Sequence, residues 1–318
     1  MKKLVEREDA PRVSPLAAAP ALAVQFFLIP LAVVGMVILV YGGFRMLLSS
    51  ERTPEELLSD VRVGGRERRW PAAYELSRLL AVPETEAQHP RLGEAIVQAF
   101  TDSEGDDPRV RRYLALAMGR LSSPPGNAVQ ALVAALGDSD TETRISVIWA
   151  LASLGDQSTV ADVEAMYGAE DAGVRKMAVY ALGTLPGDGD HVTLTAALDD
   201  PVADVQWNAA VALARHGRRD GIVVIGRMLD RNYVERIVTR NPRADANIDP
   251  VSEVIVSGLQ AAATLGATEL RSSIEMLSQE DVNLRVREVA LTALDAMNRS
   301  TQYDRTGFGV LACKAVAA

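Results

Sequence analysis

From Val13 to Phe44 the chain runs for 32 residues without a charged side chain, most densely apolar between Val24 and Tyr41. A helix of about 20 apolar residues crosses a ~30 Å hydrocarbon layer, so the pattern predicts a transmembrane helix over 16–49, preceded by a tail at 1–15. A cleaved signal peptide has a shorter apolar core and a small-x-small site, whereas here Tyr41-Gly42-Gly43-Phe44-Arg45 follows. The segment therefore reads as an uncleaved anchor. Pro30 removes one backbone donor, which predicts either a kink or the first turn of that helix.

After residue 54 the pattern changes: small and apolar residues recur at i, i+3, i+4 and i+7, the stripe of a helix packed closely on its neighbours. The stripe itself repeats. In the motif x-R-x-x-small-x-x-A-L-x-x-L, the Leu after Ala marks Leu76, Met118, Leu151, Leu182, Leu213, Ala262 and Leu294, at intervals of 42, 33, 31, 31, 49 and 32. Seven residues before each mark stand Arg69, Arg111, Arg144, Arg175, Gln206, Ile255 and Arg287. Four before it stand Ala72, Leu114, Val147, Ala178, Ala209, Gly258 and Ala290, and one before it Glu75 and then Ala in the other six.

Turn residues fall between these stripes. Asp138, Asp200, Asp249 and Asp281 each precede the Arg position by six residues. Asp107-Pro108, Asp200-Pro201 and Asp249-Pro250 have the form of a helix cap followed by proline in the first turn, and Gly155, Gly217 and Gly266 close the same helices. Shorter apolar helices are predicted upstream at Ala128–Leu136, Val160–Met166, Val192–Leu198 and Ile222–Leu229. The Asp and Arg columns predict a ladder in which the acid caps its own helix or pairs with an Arg of an adjacent repeat. Partly exposed pairs of this kind contribute about 0.5 kcal/mol each.

Val174-Arg175-Lys176-Met177-Ala178-Val179-Tyr180-Ala181-Leu182 and Val286-Arg287-Glu288-Val289-Ala290-Leu291-Thr292-Ala293-Leu294 resemble the second helix of HEAT-like repeats of the bilin-lyase type. The resemblance covers about residues 54–298. It departs at Gln206 and Ile255 in the Arg column and at Val63 and Ala169 in the Asp column. The resemblance implies an all-α fold: an α-solenoid of about seven helical hairpins, with an insertion at 231–249 and a tail at 299–318. For function it implies less, since such repeats serve as lyase subunits, scaffolds and adaptors alike.

Composition agrees with helices packed through small residues, with 48% hydrophobic residues and only 5% aromatic. The net charge of -9 belongs to the solenoid, because residues 1–62 carry seven basic and seven acidic side chains. An acidic solenoid is repelled by phosphate backbones, which argues against a nucleic-acid-binding HEAT protein. Basic residues on the two sides of the apolar run nearly tie, so the charge count sets no orientation in a cell membrane. The single cysteine, Cys313, excludes an intramolecular disulfide, and it has no prenylation box or adjacent base.

Two groups are candidate contacts. Arg231, Tyr233, Arg236, Arg240 and Arg243 lie in the insertion, where a loop emerging from a repeat stack is placed to meet an acidic protein partner or lipid headgroups. Arg66, Arg68 and Trp70 open the first repeat about twenty residues after the apolar run, a composition that suits a membrane surface; the alternative is that Trp70 caps the stack. His89, His191 and His216 have no ligand at metal spacing, and no His-Glu pair of the iron-binding HEAT hydroxylases occurs, so no metal or cofactor is expected. The resulting expectation is a single-pass membrane protein holding a non-catalytic protein-interaction scaffold, with a bilin lyase-like subunit as the alternative that the resemblance implies.

Overall fold

The computed structural model describes residues 29–48, 52–187, 191–238 and 249–305. The described residues divide at Thr53 into two units. In the first, α1 (Ile29–Leu48) is a 20-residue helix with Pro30 in its first turn, where the missing N–H has no intrahelical acceptor to lose. Every large apolar side chain described between Ile29 and Tyr41 is more than half exposed. Among the described residues no helix is long and apolar enough to cross a membrane. The side chains described in α1 end at Gly43, and residues 16–28 and 49 of the expected span lie outside the described residues.

The second unit is all helical among the described residues. Its helices are α2 (Pro54–Val63), α3 (Arg66–Leu79), α4 (Pro83–Gln88), α5 (Leu92–Asp102), α6 (Pro108–Met118), α7 (Ala128–Ala134) and α8 (Thr141–Leu154). Then come α9 (Val160–Ala165), α10 (Ala172–Leu182), α11 (Val192–Ala196), α12 (Ala203–Arg215), α13 (Ile222–Met228), α14 (Arg231–Ile237), α15 (Pro250–Thr264), α16 (Arg271–Glu280) and α17 (Leu284–Arg305). Seven hairpins result: α2–α3, α5–α6, α7–α8, α9–α10, α11–α12, α13–α15 and α16–α17. The second helix of each packs on the second helix of the next, from α3 through α6, α8, α10, α12 and α15 to α17. This is the stack the 32-residue period predicts.

The marked column is the seam of that stack. Leu76, Met118, Leu151, Leu213 and Ala262 are fully buried, as are Ala72, Leu114, Val147, Ala178, Ala209 and Ala290 in the column four before. Small residues let the helices close in. A Cβ on Gly183 would stand 2.5 Å from the Ala212 Cβ, and one on Gly119 would stand 2.7 Å from the Ala150 Cα. The core forms two clusters that meet at α12, whose Ala209 and Leu213 face one while Trp207, Ala210 and Ala214 face the other.

Several expectations change in detail. Asp107 caps α6 by accepting from the Arg109 N–H, with Pro108 at the first helical position; Pro250 likewise opens α15, but the Asp249 before it makes no side-chain cap bond. Asp200 does not cap α12, which begins at Ala203; Asp140, not Asp138, caps α8. The upstream helices α7, α9 and α11 are each shorter than predicted and finish in one 3₁₀ turn. The insertion is not a loop throughout, since Asp230 accepts from the Tyr233 N–H and starts α14. At the other end α17 runs to Arg305, past the boundary expected at 298. Cys313 and the remainder of the tail lie outside the described residues.

Candidate functional site

The polar columns come first, because they decide which charges are available to a partner. Arg111 Nε donates to Asp138 Oδ2 at 2.6 Å, and its Nη1 donates to the Phe100 carbonyl at 3.0 Å. Arg175 reaches the next hairpin with two bonds to Asp200, at 2.8 and 3.1 Å, and Arg69 pairs with Asp106. The acids also accept from the turn that follows them: Asp138 from Asp140 N–H, Asp200 from Val202 N–H and Asp281 from Asn283 N–H. Each such Asp thus ties its own turn to the preceding hairpin. The pairs are more buried than the sequence pattern implies, with side-chain exposure of 2% at Asp200 and 1% at Asp281.

That ladder absorbs the first predicted contact residue. Where the Arg column holds Ile255, Arg231 from α14 supplies the guanidinium, donating to Asp281 twice at 2.8 Å and to Ser252 Oγ at 3.1 Å. The Asp281 bond, together with the nearby Asp249 and Glu235 charges, holds the Arg231 guanidinium above its ordinary pKa. Tyr233 is half-buried against the second core cluster, and Arg236 is exposed in the last turn of α14. Arg240 and Arg243 lie outside the described residues. The insertion therefore does not present its described charges as one basic loop: Arg231 has turned inward, because a buried Asp281 needs a cation that Ile255 cannot provide.

At the first hairpin, Arg66 and Arg68 are exposed and Trp70 is half-buried against the core, with the Arg109 guanidinium 5.0 Å from its ring centroid. Trp70 thus packs toward the second hairpin, whose Arg109 covers its ring. Arg66 lines a shallow polar groove with Arg69, Asp106 and Asp107.

A second, more apolar concave feature lies across the second helices α8, α10, α12 and α15 and reaches Met228 of α13. It has a volume of ≈ 450 Å³ and an apolar floor of Met177, Val211, Met228 and Val254. Trp149, Tyr180 and the buried Trp207 line it, one from each of the second helices α8, α10 and α12. Arg120 lies 5.6 Å from the Trp149 ring centroid and Arg215 lies 5.5 Å from that of Tyr180, distances at which a cation is attracted to the ring face. Lys176 pairs with Asp204 at 3.4 Å, and Arg285 pairs with Glu253. The Trp207 Nε1 is buried and has no hydrogen-bond partner.

The repeat spacing alone does not mark this groove. Its signal is the column two before the mark, where Tyr74, Trp149 and Tyr180 recur, together with the placement of all three tryptophans on second helices. Nothing in a single sequence says that this column faces outward until the helix packing is known.

Other polar clusters are structural in character. His191 and His216 stack with ring centroids 4.2 Å apart, and His216 Nε2 lies 2.9 Å from the Leu182 carbonyl. Among the described residues no group of three or more His, Cys, Asp or Glu side chains is placed to hold a metal ion.

A family profile described as HEAT repeats matches residues 93–183 and, in an overlapping frame, 129–214. Those residues are α5 to α12, the middle of the stack of helical hairpins. No curated protein matches the chain in sequence. Among solved structures, an engineered protein is 18% identical with a TM-score of 0.41, over 77% of this chain and 96% of its own. A designed armadillo repeat protein in complex with the peptide (KR)4 is 16% identical with a TM-score of 0.41, over 78% and 100%. Human deoxyhypusine hydroxylase in complex with glycerol is 15% identical with a TM-score of 0.33, over 77% and 84%.

Proposed function

We propose that this protein is a membrane-anchored, non-catalytic scaffold that binds a segment of another protein along the groove of Trp149, Tyr180 and Trp207. The observation that carries the reading is the groove itself: Trp149 and Tyr180, half-buried and from successive repeats, stand beside an apolar floor that includes the buried Trp207 ring, rimmed by paired charges. Aromatic residues in a concave apolar setting are the usual anchors of protein interfaces, because they bury much area at little cost in side-chain entropy. Because Lys176, Asp204 and Glu253 are already paired within the chain, the groove favours a segment that is mainly apolar. The balance of charge in the groove does not call for a polyanion, which separates this reading from nucleic-acid binding.

Anchoring is supported by α1, whose apolar side chains point outward on all sides. A helix apolar all round is stable where its surroundings are apolar as well. Tethering the stack to a membrane raises the local concentration of any partner held at the same membrane, so a modest groove affinity suffices.

The test is recovery of a partner from detergent-solubilised membranes with the intact chain and with the double variant Trp149→Ala/Val211→Asp. Both positions are half-buried, so circular dichroism and thermal unfolding check that the variant retains the fold. The groove reading expects at least a tenfold loss of the recovered partner. Equal recovery by the folded variant sinks it.

A further inference from the structure

The repeats show, column by column, what a second helix touches. Three positions before the mark stand Ala73, Ala115, Ile148, Val179, Ala210 and Leu259, each 0% exposed. The approach of Gly221, at the start of the next hairpin, to within 2.7 Å of the Ala210 Cα by its added Cβ shows that this column faces the hairpin that follows. In the last repeat the column holds Leu291, which is 55% exposed, and Leu284, two turns earlier on the same stripe, is 72% exposed.

The ladder breaks at the same place. Arg111 and Arg175 hold an Asp of the following hairpin, whereas the Nε of Arg287 is buried and has no hydrogen-bond partner. The Arg144 Nε is also unpartnered, but there the following hairpin is present and carries Ala169 at the Asp position. The first hairpin is different in kind. The column one before the mark meets a preceding hairpin, as Ala150 and Ala212 do against Gly119 and Gly183, and in the first repeat this column holds Glu75 in place of Ala. End repeats of solenoids ordinarily carry a polar outer face. The first repeat has such a substitution, and the last keeps its apolar residue.

We infer that the α16–α17 end is an open repeat junction that accepts a helical hairpin from another polypeptide. That hairpin presents a small or apolar side chain to Leu291 and a carboxylate from its inter-helix turn to Arg287. The occupant follows from continuity with the internal junctions, where the same two columns meet a hairpin and, in the unbroken rungs, its turn aspartate. A second copy stacked head to tail does not fit, because its first hairpin offers Val63 at the Asp position and Glu75 in the Ala column. This surface is separate from the aromatic groove and does not depend on it.

The probe is a fluorescein-labelled peptide of residues 191–217, the chain's own α11–α12 hairpin, whose Asp200 holds Arg175 inside the stack. It is titrated into the full chain in detergent micelles and followed by anisotropy and by amide exchange of α16 and α17. Saturable binding is expected, weakened at least tenfold by Leu291→Asp in the chain. Asp200→Asn in the peptide should weaken it similarly, and only while Arg287 is present. Because an isolated hairpin can fail to fold, the same residues are also joined to Ala318 of the full chain by a glycine-serine linker. That fusion should raise Tm by about 5 °C, and Arg287→Gln or Leu291→Asp should remove the gain, while Val211→Asp in the groove leaves it. A fusion with no gain, or a gain indifferent to both end variants, overturns the inference. So does a dimer of the unmodified chain that Leu291→Asp dissolves, or a photocrosslink from position 291 to residues 306–318 of the same chain.

Discussion

Asp200 joins two parts of the chain through one carboxylate: it accepts from Val202 N–H in its own turn and twice from Arg175 in the preceding hairpin. Burial pushes this carboxyl up, but the Arg175 and Val202 hydrogen bonds outweigh it and leave the group below its ordinary pKa. A lowered folded-state pKa means that the contribution is complete above the unfolded value of about 3.9 and is lost as pH falls through the folded value. The chain should therefore lose stability below about pH 4, and Asp200→Asn should flatten that part of the profile in urea unfolding. Asp200→Ala leaves a guanidinium with little access to water, so it should cost about 3 kcal/mol at pH 7; a cost below about 0.5 kcal/mol would mean that the rung behaves as an exposed pair. Arg231 makes the same point from the other partner: a residue that looks free in an insertion is fixed by the aspartate it has to neutralise.

Among the helices, spacing is set by what stands where two second helices meet. Gly183 lies so close to Ala212 that any side chain must push α10 and α12 apart. Gly183→Val is expected to destabilise the stack by about 2 kcal/mol through overpacking, read as a lower urea midpoint with an unchanged m-value. Gly137, where a Cβ meets nothing within 4 Å, is the control, and Gly137→Ala should be close to neutral. If the two substitutions behave alike, close helix approach is not what the small-residue columns are for. Element ends follow local chemistry where a cap is available, as at Asp107, Asp140 and Asp230. They depart from it at Asp200, because that carboxylate is already committed to Arg175.

Across the whole molecule, the proposed division of labour is a stack that binds and a segment that anchors. Val34 and Val37 lie near the middle of α1 and are each more than half exposed. Arginine at the centre of a spanning helix costs about 3 kcal/mol per residue, so Val34→Arg/Val37→Arg should move the chain from the carbonate-resistant membrane pellet to the supernatant. A wild-type chain that is already extracted by carbonate would remove the anchor from the proposal, while leaving the groove and the open junction to their own tests.

The amino-acid sequence determined the helical hairpins, their number and which columns are buried, because burial in a stack of repeats is periodic and a period can be read from residue types alone. It also marked the Asp and Arg columns, since charges kept at a fixed register in an apolar stripe must meet one another. Only the tertiary structure decided which Arg meets which Asp, that Arg231 replaces the missing rung at Ile255, and that Trp149 and Tyr180 line one groove whose floor includes the buried Trp207. Those facts depend on the distances between helices that are 30 residues apart in sequence, and on an insertion whose path no local pattern dictates. The exposure of Leu291 belongs to the same class: the residue type is the one its column expects, and its meaning comes from the absence of a following hairpin among the described residues.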